Sequence, residues 1–140
     1  MLVTLTALCC ALGCKSTRDS ECRNFVYAVN SRLGDIDRLT QQRPDGQRIN
    51  AGEMRHLAEL YQNLADKTDQ LSIDQPELRT LREQYRAMVY DAARLARSIA
   101  ESLDKKDIEA AMKAHSQFSA VVSREDELVT RVNAFCRQPQ

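Results

Sequence analysis

The chain reads as an all-α protein, an up-down-up-down four-helix bundle, on three observations. Apolar residues recur at three- and four-residue steps from Cys22 onward, the period of a helix with one buried face, and nowhere alternate as a half-buried strand would. The apolar set is mostly Ala, Leu and Val, with aromatics at 5% and no Trp. Glycine and proline, the strongest local breakers, number only four and three in 140 residues, a length that suits one domain with one core.

The first helix is predicted from the stripe Cys22, Phe25, Val29, Leu33, Ile36 and Leu39. The polar stretch "QQRPDGQRIN" ends it, with Pro44 and Asp45-Gly46 as turn formers. Asn50 followed by Glu53 reads as a capping box that opens the second helix, whose stripe is Met54, Leu57, Tyr61, Leu64, Thr68 and Leu71. Asp74, Pro76 and Glu77 signal the third, with Leu78, Leu81, Tyr85, Met88, Ala92, Leu95 and Ile99 facing inward.

The fourth follows "DKKD" and runs through Ile108, Ala111, His115, Phe118, Val122, Val129, Val132 and Cys136. Between Leu103 and Ile108 the spacing jumps to five without a Gly or Pro, so the pattern allows either two helices or one long rod.

The N-terminus differs from the rest. Met1 to Gly13 carry no charged side chain, and charge begins at Lys15. As a helix this segment would reach only ~20 Å, against the ~30 Å of a bilayer's hydrocarbon, so it has the length of a signal-peptide core rather than of a membrane span. Ala11-Leu12-Gly13-Cys14 resembles the lipobox of bacterial lipoproteins.

The resemblance covers the first fifteen residues and implies a signal peptide over 1–13 and acylation of Cys14 as the mature amino terminus; the helical periodicity then leaves a short tether over 14–19 and a bundle domain over 20–140. It places the protein in a bacterial cell envelope, held to a membrane by lipid, in the manner of small helical envelope lipoproteins. Lys15 after the cysteine favours the outer membrane, facing the periplasm, under the enterobacterial sorting rule.

The cysteines then divide by role. Cys9 and Cys10 leave with the signal peptide and Cys14 takes the lipid, so Cys22 and Cys136 remain in an oxidising compartment, where two thiols suggest one disulfide. In a four-helix bundle with short loops the start of the first helix and the end of the last share an end, whereas a single rod would separate them.

Little in the chain points to catalysis. Twenty basic residues balance twenty acidic ones, which leaves no field to attract nucleic acid. There is no Gly-x-Ser-x-Gly, P-loop or dinucleotide fingerprint. Glu53-Met-Arg-His56 spells Glu-x-x-His but lies off the inward face and lacks a second copy, and His115 on the inward stripe has no second ligand at metal-binding spacing. No enzyme activity, cofactor or metal is expected. One surface remains, the side of the third helix bearing Arg79, Arg82, Arg86, Arg94 and Arg97 with Tyr90 in the gap, suited to phosphate-rich envelope material or to an acidic protein face.

Two functions follow as expectations. The first is a non-enzymatic structural or protein-interaction module of the envelope. The second is a periplasmic ligand-binding or sensing bundle, with a small molecule held near Tyr61, Tyr85 and His115.

Overall fold

A computed structural model describes residues 17–41 and 50–138 as five helices and, among these residues, no strand. They are α1 (Thr17–Gln41), α2 (Ala51–Asp69), α3 (Pro76–Asp104), α4 (Ile108–Val122) and α5 (Glu125–Arg137). The helices pack on one another as the periodicity predicts, and the expected fourth helix runs as two, α4 and α5. The expected signal peptide, the lipobox-like segment with Cys14, Lys15 and the turn expected at Pro44–Gly46 lie outside the described residues. Helix α1 starts at Thr17, within the stretch expected to be tether. No helix among the described residues is long and apolar enough to cross a membrane.

Three junctions show why the helices begin and end where they do. At α2 the capping box is present: the Asn50 side chain accepts from the Glu53 amide at 2.9 Å and Glu53 Oε2 accepts from the Asn50 amide at 3.0 Å. At α3 the cap comes from another helix. Gln75 supplies no side-chain cap, and instead the carboxylate of Glu21 on α1 accepts from the amides of Asp74 and Gln75 at 3.0 and 3.2 Å.

The third junction ends the rod alternative. The Lys106 amide donates to Leu103 and the Asp107 amide to Ser102, a Schellman pattern that needs a left-handed residue at its centre. Lys106 takes that conformation, with φ 57°. Asp107 then caps α4 through the Ala110 amide at 3.0 Å, and α4 folds back along α3. Between α4 and α5 only Ser123 and Arg124 leave the helix, and α5 opens on Glu125, Asp126 and Glu127, three acids where the helix dipole favours negative charge.

The core centres on α3, where Leu78, Leu81, Tyr85, Met88, Val89, Ala92, Ala93, Ala96 and Ala100 are buried against α1, α2, α4 and α5. One stretch departs from the predicted stripe. Ile108 is 59% exposed and His115 is also exposed, while Ala111 and Ala114 face inward. The separation of packed helices follows the side chains at their contact; α4 packs along α3 with Ala111 and Ala114 buried, Ile108, Met112 and His115 turned out, and Phe118, Val121 and Val122 half-buried against the core.

Cys22 and Cys136 form a disulfide, with Cα atoms 5.9 Å apart, inside the range the bond requires. Beside it the Arg18 guanidinium lies 4.8 Å over the Phe135 ring and donates to the carbonyls of Phe135 and of Gln138, the latter at 2.7 Å. A cation thus sits on the last carbonyls of α5, where the dipole is negative. Arg18, Glu21 and the disulfide bring the start of α1, the end of α5 and the α2–α3 connection to one end of the molecule.

Candidate interaction surface

The five arginines of α3 divide into two groups. Arg79 donates from Nε to the Ile73 carbonyl at 3.1 Å and from Nη2 to that of Asp74 at 2.9 Å. Arg82 reaches the Leu71 carbonyl at 2.6 Å and pairs with Glu83, whose carboxyl is held below its usual range by that hydrogen bond. These two close the α2–α3 connection. Arg86 is shared between Glu83 at 3.1 Å and Asp69 at 3.4 Å.

Farther along, Arg94 pairs with Asp91 at 3.5 Å and Arg97 donates to the Gln62 amide oxygen at 2.9 Å. Tyr90, half exposed, lies beside them. Arg79, Arg94 and Arg97 are exposed and Arg82 and Arg86 half-buried; because Arg79 is engaged by the Ile73 and Asp74 carbonyls, the outward cationic stretch is the Tyr90–Arg97 half of the predicted stripe.

The predicted ligand site comes together only in part. Tyr61 and Tyr85 are both buried, but His115 faces away from them. In its place stands Glu125. The Tyr85 hydroxyl donates to Glu125 Oε1 at 2.7 Å, and the Phe25 and Phe118 rings pack edge-on against Tyr85 and Tyr61 at 5.9 and 5.8 Å. Burial pushes both phenols up, Tyr61 to about 12, and burial also raises Glu125 despite the hydrogen bond it accepts. The buried phenols therefore stay neutral at any physiological pH and act as packing with one polar contact.

His56 is exposed, 3.8 Å from Glu59, and Glu53 is occupied by the cap of α2. Among the described residues no three His, Cys, Asp or Glu side chains converge as metal ligands would.

The sequence pattern did not reveal a groove between α1 and α5. It encloses about 160 Å³ and is lined by Phe25, Val26, Val29, Leu33, Val129 and Val132, with Asn30 and Asn133 on its rims and Tyr85 behind. A shallower cleft continues it past the disulfide, sharing Val26 and Asn30 and adding Asp19, Arg23 and Tyr27. Two signals for this face were present in the sequence: residues 24–31 carry no charge in a chain that is 29% charged, and Tyr27 falls off the inward stripe.

Comparison with known protein families, curated proteins and solved structures finds no match to this chain.

Proposed function

We propose that this protein is a lipid-anchored module of a bacterial cell envelope that faces the periplasm and works by holding a protein partner rather than by catalysis. The disulfide carries the reading, because a bond joining the first and last helices across 114 residues is stable in an oxidising compartment and is rare where glutathione keeps thiols reduced. The lipobox-like Ala11-Leu12-Gly13-Cys14 supplies the anchor, three residues before α1 begins.

Anchoring at Cys14 turns toward the membrane the end that holds Arg18, Glu21 and the 70–75 connection. The flanks of α1 and α3 then stand away from the lipid. On α3, Tyr90, Arg94 and Arg97 offer an aromatic and two guanidinium groups, a combination that favours an acidic protein face or phosphate-rich envelope material.

The test is Cys14→Ser. The protein should leave the membrane fraction and lose incorporation of a fatty-acid analogue, and incorporation that survives the substitution defeats the proposal.

A further inference from the structure

The groove between α1 and α5 pairs an apolar interior with two idle polar side chains. Its walls are Val29 and Leu33 on α1 and Val129 and Val132 on α5, and at its base Phe25 meets Tyr85 edge-on. No charged residue lines it. The Tyr85 hydroxyl is engaged by Glu125, so Tyr85 contributes its ring.

Close packing leaves few voids larger than a water molecule, yet this one encloses about 160 Å³. The fold holds it open. Phe25 is fixed against Tyr85 with ring centroids 5.9 Å apart, Val29 and Val132 are buried, and the Cys22–Cys136 bond ties α1 to α5 at one end.

Asn30 and Asn133 stand on the two rims, one from each helix. Both sit inside a helix, where an asparagine is disfavoured because its amide competes with the backbone. Neither side chain makes a hydrogen bond among the described residues, so no internal partner accounts for them.

We propose that the groove binds a small uncharged molecule, with a compact apolar body of one ring or one short branched chain and a single neutral amide, carbonyl or hydroxyl group that the two asparagines hold at the mouth. The volume sets the body, since an apolar cavity of about 150 Å³ takes up a molecule the size of benzene. The lining sets the charge, because an ion would lose its water in a site that offers no counter-ion. A carboxamide both donates and accepts, so it suits either end of a neutral amide.

The length of the ligand is limited as well. Past Val26 the groove opens into the cleft that carries Asp19 and Arg23, and a long acyl chain running on would lie against charge. The site uses the Tyr85 ring but neither Tyr61 nor His115. It does not depend on the lipid anchor.

The test uses the full chain in lipid nanodiscs, with valine and leucine methyl resonances as reporters and benzamide as the probe. Benzamide should give saturable shifts at Val29, Leu33, Val129 and Val132, and benzoate and benzylammonium, similar in size but charged, should bind at least tenfold more weakly. No saturable shift, shifts gathered on α4 instead, or equal binding of the charged analogues would overturn the proposal.

Two variants separate the walls from the rims. Val129→Phe fills the groove from a half-buried position and should abolish the shifts at the remaining reporters. Asn30→Ala combined with Asn133→Ala keeps the space and gains helix propensity, so it keeps the fold and decides the matter even where Val129→Phe disturbs packing. The double variant should bind benzamide at least fivefold more weakly and toluene, which lacks the amide, within twofold of wild type. Unchanged benzamide binding in the double variant would overturn the proposal. Cys14→Ser should bind like the wild type, so loss of acylation and loss of the site are read separately.

Discussion

The Tyr85 hydroxyl donates a 2.7 Å hydrogen bond to Glu125, joining the middle of α3 to the first residue of α5. It fixes where the chain turns from α4 into α5, and it places a partly buried carboxylate beside a phenol that must stay neutral. Tyr85→Phe removes the one polar contact that this buried ring makes among the described residues. The expected cost at neutral pH is about 1.5–3 kcal/mol, the range for a hydrogen bond to a charged group, read as a shift in urea midpoint.

Glu125 itself should show the opposite sign. Burial raises its pKa in the folded state, so the folded chain binds this proton more tightly than the unfolded chain does. The associated stability is fully present below the unfolded glutamate value of about 4.3 and is lost as pH rises through the higher folded value. Glu125→Gln keeps an acceptor for Tyr85 without the charge, so its midpoint should rise relative to wild type between acidic and neutral pH. A gap that closes as pH rises contradicts this.

Glu21 caps a helix to which it does not belong. Replacing it with Ala strands the amides of Asp74 and Gln75 at the start of α3, and the expected loss is ~2–3 kcal/mol. Glu21→Gln retains one acceptor oxygen and should cost less. Equal losses for the two variants would mean that packing, not acceptance of those amides, accounts for the effect.

Lys106 holds a left-handed backbone that an L side chain adopts at a cost of about 1–2 kcal/mol. Glycine there relieves that strain and gives back part of the gain in unfolded-chain entropy. Lys106→Gly should therefore raise stability by ~1 kcal/mol, measured as a higher thermal midpoint.

Periodicity was enough to read most of this architecture. Phe25, Val29, Met54, Leu64, Leu81 and Met88 are buried where their spacing puts them, and the cap at Asn50 forms as its two residues predict. The α4 register was misread because Ile108-Ala111-His115 and Ala111-Ala114-Phe118 are equally regular. Hydrophobicity favours the first, but packing along α3 buries Ala111 and Ala114 and selects the second. The α2–α3 connection was illegible for another reason: nothing in the spacing says that Arg79 and Arg82 will turn back onto loop carbonyls. The groove behind Tyr27 was hidden in the same way, since it depends on how α5 leaves α4.

The disulfide is the feature on which compartment and architecture both rest. In the chain-entropy model a bridge closing a loop of this length contributes roughly 4–5 kcal/mol, a large share of a domain's ~5–15 kcal/mol. The most direct measurement is a peptide map of protein taken from the cell envelope, alkylated before any reductant is added. The account predicts that the segments around Cys22 and Cys136 are recovered joined, with neither thiol alkylated, and that subsequent reduction lowers the thermal midpoint by several degrees while the helical content survives. Recovery of both cysteines alkylated in protein from that compartment would contradict it.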